Sequence, residues 1–235
     1  MNKKGSRDIK ISSSLDELCA TVAEMASARI HEEINVKGSF HLALTGGVAG
    51  GLVCEKLILL WNAEPTKFVG LHIWWADERF VEVGSAERNA HAVLTHLRAN
   101  SGIHIHQTLS SDAGVSLEVA ATRYAFDLAG IAMDLTLLGI GADGHVASLF
   151  PGSITAKKGE DVIAVRSAPK PPPMRVSFSM EKINESASVW LLASGTSKRD
   201  AVSQILVDDN SIPATLVHGQ IETLLFVDRD SLASE

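Results

Sequence analysis

A carboxylate and a histidine stand two residues apart, directly after a strand-length apolar run that ends in glycines. Asp143 precedes His145, with Gly141 and Gly144 around them. An unperturbed histidine has a pKa of about 6.5, so it can exchange a proton near neutral pH. Ser148 lacks the flanking glycines of a Gly-x-Ser-x-Gly nucleophile turn. The pattern favours acid–base catalysis by His145 with Asp143 as its neighbour. The alternative is a histidine that only fixes the loop.

A glycine-rich segment, residues 45–51, links an apolar run to a helical pattern. Backbone N–H groups of such glycines, at the start of a helix, can approach an anion closely. Gly46 and Gly47 are therefore candidates to contact an anion. A tight turn is the equally good alternative. A dinucleotide site is less well supported, because Thr45 stands where the first glycine of Gly-x-Gly-x-x-Gly belongs.

Three charged residues, Asp77, Glu78 and Arg79, follow the next apolar run between tryptophans and a phenylalanine. Charges beside apolar groups are costly unless they are paired or bind a ligand. A carboxylate and a guanidinium at a strand end suit an anionic sugar, so Asp77 and Arg79 are candidate site residues, with Asp77 placed to hold Arg79 or a sugar hydroxyl. A salt-bridge cluster is one alternative. A ribose-binding acid is another, but Asp77 lies about 30 residues past the glycine segment, where about 20 are expected.

Two further cations are candidates for binding an anion. Lys198 falls in the first turn of a predicted helix, where its positive charge is unfavourable beside the positive end of the helix dipole. A bound anion would offset this cost. Arg175 follows a short proline run at 169–173, which reads as a stiff active-site or surface loop. A solvated lysine and a strand-edge salt bridge are the respective alternatives.

The residue pattern gives little support for a metal-binding site. His104 and His106 alternate as strand neighbours do, but no third ligand follows at suitable spacing, so a surface pair is expected. Cys19 and Cys54 have no metal-ligand spacing and are expected to be reduced core residues. No metal and no cofactor is therefore predicted.

The elements that carry these residues alternate between strand-like and helical patterns. Strands apolar on both faces that alternate with helices predict an α/β fold, with a doubly wound, mostly parallel sheet and helices on both faces. In such sheets ligands bind beyond the carboxyl ends of the strands, where the candidate residues lie. The predicted helices span 14–35, 53–60, 88–98, 116–129 and 197–207, and the predicted strands Phe40–Leu44, Leu71–Trp75, 134–140, Val162–Val165, Arg175–Phe178, 189–193 and 224–227.

Composition narrows the class of protein. Apolar residues make up 46% and charged residues 21% of 235 residues, which is typical of a globular chain. The net charge of −7 argues against a nucleic-acid partner. No apolar run reaches membrane-spanning length, and the basic start MNKKGSRDIK leads into no apolar signal segment, so a cytoplasmic location without membrane contact is expected. Without an internal linker, a single domain over 1–235 is predicted.

Several segments resemble one family. Residues 134–152, DLTLLGIGADGHVASLFPG, are similar to the signature segment of 6-phosphogluconolactonases. The segments WWADERFV, PPPMRVSFS and WLLASGTSKRDAV resemble further blocks of that family, as do Glu87-Arg88-Asn89 and Pro213-Ala214. The resemblance runs from Phe40 onward. One departure is the segment Thr45-Gly46-Gly47-Val48-Ala49-Gly50, where relatives carry Ser-Gly-Gly-Ser-Thr-Pro.

The resemblance implies a fold shared with glucosamine-6-phosphate deaminases and hydrolysis of 6-phospho-D-glucono-1,5-lactone in the oxidative pentose phosphate pathway. It implies that His145 is the acid–base residue, that Asp143 orients its loop, and that Arg79, Lys198 and Arg175 neutralise the anionic groups. Deaminases continue after their histidine with Ala-Phe-Asn-Glu-Pro, whereas residues 147–151 here hold no acid. Deamination, or a non-catalytic sugar-phosphate sensor, is the alternative. The expected partner is the small-molecule lactone, and a monomer or weak homodimer is expected.

Overall fold

A seven-stranded parallel sheet forms the centre of the computed structural model, which describes residues 7–99, 101–152 and 159–232. Residues 1–6, which begin the basic segment MNKKGSRDIK on which no signal peptide was expected, lie outside the described residues. Every neighbouring pair in the sheet is parallel, in the order β1-β10-β9-β6-β2-β3-β5. The strands are Asp8–Ser12 (β1), Phe40–Leu44 (β2), Leu71–Trp75 (β3), His104–Ile105 (β5), Leu135–Gly139 (β6), Ser188–Ala193 (β9) and Glu222–Asp228 (β10), and Asp77–Arg79 (β4), Val162–Val165 (β7) and Arg175–Phe178 (β8) form a second sheet.

Helices cover both faces of the main sheet, as predicted, and bury two separate apolar clusters. Side chains of one strand alternate between the clusters, so Trp74 packs on one face and Trp75 on the other. The first three helices pack on one face and the remaining four on the other. They are Leu15–Lys37 (α1), Gly47–Ala63 (α2), His91–His96 (α3), Leu117–Asp127 (α4), Met180–Asn184 (α5), Arg199–Leu206 (α6) and Pro213–Leu216 (α7).

Helix α1 begins and ends where its sequence indicates. The Ser14 side chain accepts a hydrogen bond from the Glu17 N–H at 3.3 Å, and Glu17 reaches back to the Ser13 N–H at 2.6 Å. Gly38 ends the helix with a φ of 83°, a left-handed conformation that favours glycine. No helix within the three described stretches is long and apolar enough to cross a membrane.

The second sheet corrects part of the predicted topology. The strands Val162–Val165 and Arg175–Phe178 were expected in the parallel sheet, but they pair antiparallel with each other, in a small sheet with β4. The segment Asp77–Arg79, expected to be a loop, is an edge strand of that sheet and lies opposite β8, with Arg79 beside Arg175. This arrangement holds three candidate residues above the carboxyl edge of the main sheet.

Other boundaries shift by a few residues. Helix α2 is longer than its predicted core of 53–60, because its first turn includes the glycine segment. Helix α3 is shorter than the predicted 88–98, since Arg88 and Asn89 belong to the turns that precede it. The strands β1 and β5 were not predicted. The first is exposed along most of its length and the second has only two residues, so neither shows a strong apolar pattern.

Candidate active site

A cleft of about 430 Å³ opens at the carboxyl ends of β2, β3, β6 and β9. The sheet order reverses between β2 and β6, and such switch points are where α/β sheets bind ligands. Residues from all of the predicted loops meet there. The predicted site residues that line the cleft are Gly46, Gly47, Asp77, Arg79, His145, Arg175 and Lys198.

The imidazole of His145 contacts the remaining predicted residue, Asp143. Its Nδ1 forms a short hydrogen bond with the Asp143 carboxylate, and its ring packs against Phe150 with centroids 4.7 Å apart. Within the described residues no hydrogen bond engages Nε2, so this nitrogen is available to a ligand in the cleft. Burial raises the pKa of Asp143, but the hydrogen bond and charge of His145 outweigh it and leave the pKa below its usual value. An ionised Asp143 therefore orients the ring.

Glycine is required beside this pair. A Cβ at Gly141 would lie 2.0 Å from the His145 Nδ1 and 2.5 Å from the Asp143 carboxylate. Gly144 has a φ of 78°, and its N–H donates to the Gly141 carbonyl at 3.0 Å, which closes the turn between the two functional side chains. The loop thus has a shape that only this glycine spacing permits.

Asp77 is buried and already has several partners. Its Oδ2 accepts a hydrogen bond from the Ser148 hydroxyl at 2.6 Å and lies 3.7 Å from Nη1 of Arg175. The amide of Asn89 donates to the Asp77 carbonyl at 2.7 Å. The sequence suggested that Asp77 holds Arg79, but the pairing within the described residues is with Arg175. The carboxylate links three segments at the rim of the cleft.

The guanidinium of Arg79 is held on one side only. Its Nη1 donates to the Glu87 carbonyl, whereas its Nε is buried with no hydrogen-bond partner in the described chain. A buried, unpaired charged donor is unfavourable unless a ligand satisfies it. Arg79 lines the cleft, so its guanidinium is placed to meet an anionic ligand there, although Nε itself is buried.

The buried carboxylate of Glu78 binds the backbone next to Arg79 and Asn89. It accepts hydrogen bonds from the N–H groups of Arg79, Asn89 and Ala90 at 2.7 to 3.0 Å, and lies 3.7 Å from Nε of Arg88. Burial raises the pKa of Glu78, against the opposing effect of Arg88. Glu78 thus fixes the segment that carries Asn89.

Helix α2 begins at the cleft with the two predicted glycines. Gly46 is its N-cap and makes no side-chain cap, and a Cβ there would lie 2.0 Å from Oδ1 of Asn89. Gly47 has a φ of 78°. The first turn holds no acidic residue, and Val48 is 74% exposed. The positive end of a 17-residue helix therefore faces the cleft through backbone N–H groups.

Lys198 lies just before helix α6 and not within its first turn, because Thr196–Lys198 form a separate 3₁₀ turn. Asp228 anchors the preceding loop through the Ser194 hydroxyl and the Gly195 N–H, the latter at 3.0 Å. Burial lowers the pKa of Lys198, and the charge of Lys170 lowers it further.

Four residues of the site were not singled out from the sequence. Lys170 lines the cleft and belongs to the proline run at 169–173. This run predicted a stiff loop but did not mark its lysine as a site residue. Ser194 lies in the segment WLLASGTSKRDAV, in which Lys198 was the predicted site residue. Asn89 was noted only within the segment Glu87-Arg88-Asn89, and Asp228 contacts a residue 34 positions away, for which no local pattern exists.

His104 and His106 do not form the surface pair that was expected. They belong to a stacked cluster at the opposite, amino-terminal end of the strands, together with His41, His72 and Trp74. Among the residues that the structure describes, no group of three or more histidine, cysteine, aspartate or glutamate side chains is arranged to hold a metal ion.

Comparison with known proteins agrees with this fold. The 6-phosphogluconolactonase of Mycobacterium tuberculosis is 34% identical over 244 residues, covering 97% of this chain and 98% of the relative. The crystal structure of a 6-phosphogluconolactonase from Thermotoga maritima is similar with a TM-score of 0.79 at 26% identity, over 95% of this chain and 100% of that one. A monomeric glucosamine-6-phosphate deaminase has a TM-score of 0.77 at 21% identity, over 95% and 98% of the two chains, a likeness of fold alone.

The model of the family described as glucosamine-6-phosphate isomerases/6-phosphogluconolactonase matches residues 13–226, which is most of the chain. That span contains every candidate residue at the cleft. The chain belongs to the glucosamine-6-phosphate isomerase/6-phosphogluconolactonase family.

Proposed function

We propose that this protein hydrolyses 6-phospho-D-glucono-1,5-lactone to 6-phospho-D-gluconate, a step of the oxidative pentose phosphate pathway. The observation that carries the proposal is the Asp143–His145 pair, in which His145 lines a cleft rich in cations. The relatives named 6-phosphogluconolactonase over nearly the full chain support the same substrate. A cytoplasmic location, a single domain and a monomeric or weakly dimeric state belong to this proposal.

His145 exchanges the proton in this mechanism. Its Nε2 takes a proton from water while the water oxygen bonds to the lactone carbonyl carbon, and the carbonyl electron pair moves to its oxygen. When the carbonyl reforms, the bond from that carbon to the ring oxygen breaks, and Nε2 returns the proton to the ring oxygen. Asp143 holds Nδ1 and stabilises the transient imidazolium. A lactone is an activated ester, so an acceleration of about 10²–10⁴-fold from general acid–base catalysis is sufficient.

The cations and the start of helix α2 bind the anionic part of the substrate. Arg79 offers its guanidinium, Lys198 its half-buried ammonium, and Gly46 and Gly47 their N–H groups. Of the Arg175 nitrogens, Nη1 is the one not bonded to a loop carbonyl. Asp77, predicted as a catalytic residue, is proposed to orient Arg175 and the Ser148 loop.

The alternative activity in this family, deamination of glucosamine 6-phosphate, fits the cleft less well. Ring opening and loss of the amine require additional proton transfers, for which deaminases have an acid shortly after the histidine. Residues 146–151 of this chain, Val-Ala-Ser-Leu-Phe-Pro, hold none. Among the described residues that line the cleft, Asp77 is the one carboxylate, and it is already bonded to Ser148.

A kinetic assay with both substrates tests the proposal. The protein should open 6-phosphogluconolactone above its spontaneous rate in the presence of EDTA. It should release no ammonia from glucosamine 6-phosphate under the same conditions. Ammonia release without lactone hydrolysis would replace this proposal with the deaminase activity.

A further inference from the structure

The proline loop between β7 and β8 places a lysine at the cleft that the mechanism above does not use. Lys170 and Pro171 both line the cleft. Lys170 is exposed and forms no ion pair with the described residues, although the chain as a whole is acidic. Its ammonium is therefore available to an anion in the cleft.

Arg175 fixes the backbone of this loop. Its Nε donates to the Pro172 carbonyl at 3.1 Å, and its Nη2 donates to the carbonyls of Lys170 at 2.9 Å and Pro171 at 3.4 Å. The Ala168 N–H closes the loop by donating to the Pro173 carbonyl at 3.0 Å. A buried guanidinium with three bonds to one loop holds that loop in a defined position.

Lys170 and Lys198 line the same cleft, and their like charges repel each other. Burial is the main cause of the lowered pKa of Lys198, and the charge of Lys170 is the next, with Asp143 opposing both. No described carboxylate forms an ion pair with either lysine. A dianion between two such ammonium groups would relieve their repulsion.

We propose that Lys170, together with Lys198, binds the phosphate group of the substrate, and that Arg175 is the positioning residue for Lys170. The inference rests on the proposed function, because the lactone ring is uncharged and its phosphate is the one dianionic group of that substrate. Lys170 is thus a specificity-determining residue that distinguishes phosphorylated from unphosphorylated lactones.

The test compares Lys170→Met with Lys170→Arg on both lactones. Met removes the charge at nearly constant length, and KM for 6-phosphogluconolactone should rise about tenfold with kcat within about twofold. Lys170→Arg should restore most of the affinity. The kcat/KM for unphosphorylated glucono-1,5-lactone should not change. Lys67→Met is the matched control, since Lys67 is a partly exposed lysine that pairs with Glu64 at the amino-terminal side of β3, away from the cleft.

Two results would overturn the proposal: an unchanged KM in Lys170→Met, or an equal loss of activity on both lactones. The role of Arg175 is tested by Arg175→Lys, which keeps the charge but cannot make the same three bonds. It should raise KM as Lys170→Met does, and it should add little in the double variant. Full additivity would remove the positioning role. A wild-type protein without lactonase activity would instead refute the proposed function, and titration with inorganic phosphate would then decide whether Lys170 binds a phosphate group.

Discussion

At the scale of single residues, several functional side chains at the cleft are held by a protein partner on one side. The Nδ1 of His145 is bonded to Asp143, and no described residue engages its Nε2. Arg79 donates from Nη1 to a backbone carbonyl while its buried Nε has no described partner. Side chains held in this way are oriented before a ligand binds, which reduces the cost of ordering them during the reaction.

The replacement His145→Asn separates proton transfer from a purely structural role. Asparagine keeps some hydrogen bonding but cannot exchange a proton near neutral pH, so kcat should fall about 10²-fold or more with little change in KM. An ionisation in the kcat profile should also disappear. Rates corrected for spontaneous lactone opening give both quantities, and His218→Asn, outside the cleft lining, is the control.

The competing explanation predicts a different set of results. If His145 only fixed its loop, His145→Asn would lower the melting temperature, and substrate binding would weaken in parallel. A folded variant with nearly wild-type kcat would remove His145 from the mechanism altogether. Thermal melts recorded on the same samples therefore complete the experiment.

The sequence predicts residues whose signal is local and misses those whose signal is not. Asp143 and His145 share one glycine-framed loop, so their proximity could be expected before their contact was seen. Asn89 reaches Asp77 from a separate segment. Asp228 reaches Ser194 from 34 residues away, on a neighbouring strand of the sheet. Such partners depend on the packing of the whole sheet, which no single-sequence pattern contains.

At the scale of elements, most strand positions were predicted, but β1, β4 and β5 were not, and β7 and β8 were wrongly expected in the parallel sheet. The strand β7 is apolar and β8 is buried along its whole length, so both resemble strands of a covered parallel sheet. The length of the connection between them, residues 166–174, indicates the relative direction of the two strands. A parallel pair needs a crossover of about a dozen or more residues, usually with a helix. A short proline-containing link therefore requires antiparallel pairing.

The amino-terminal ends of β2, β3 and β5 carry a ladder of histidines. His41, His72 and His104 are in register on adjacent strands, with ring centroids 4.5 Å apart. The Nε2 of His106 lies 3.0 Å from the Nδ1 of His72, and the His106 ring stacks on Trp74 at 3.8 Å. A proton on one ring therefore meets apolar surroundings and neighbouring rings that resist a second charge.

This ladder should make stability fall on acidification. Burial, then repulsion from His41, His104 and His106, lowers the pKa of His72 to about 4. Burial also lowers the pKa of His41 and His106, although Asp134 and Asp127 act in the opposite direction and Lys37 reinforces the shift of His41. Because the unfolded chain binds these protons more readily, stabilisation is complete above pH 6.5 and declines as pH falls toward 4.

The expected change can be measured by denaturant unfolding at pH 7.5 and pH 5. The lowering of the His72 pKa from its ordinary value of 6.5 to about 4 corresponds to about 3 kcal/mol at 1.36 kcal/mol per pH unit. Because pH 5 lies above the folded pKa and the partly exposed His72 is screened by solvent, its expected effect at pH 5 is about 1 kcal/mol. His72→Gln should reduce the loss between the two pH values by about that amount. His96→Gln, which alters an exposed histidine on α3, should not. Equal pH dependence in wild type and His72→Gln would show that the ladder does not control acid stability.

At the scale of the whole molecule, charge is distributed unevenly. The net charge is −7, yet the cleft is lined by Arg79, Lys170, Arg175 and Lys198, with Asp77 as the one described carboxylate in its lining. The rest of the chain is therefore more negative than the total indicates. An acidic surface with a cationic cleft repels polyanions such as nucleic acid but attracts a small dianion to one place.

This distribution predicts that catalytic efficiency depends on salt for the phosphorylated substrate alone. Between about 20 mM and 200 mM NaCl the Debye length shortens from about 20 Å to about 7 Å, so the attraction between the cleft and a phosphate dianion weakens. The value of kcat/KM for 6-phosphogluconolactone should fall at least about threefold, mainly through KM. Neutral glucono-1,5-lactone, assayed in the same buffers, should show no comparable loss, and Lys198→Gln should flatten the salt dependence of the phosphorylated substrate. Equal salt sensitivity of the two lactones would mean that salt acts on the protein itself, and the cationic cleft would then not be what attracts the substrate.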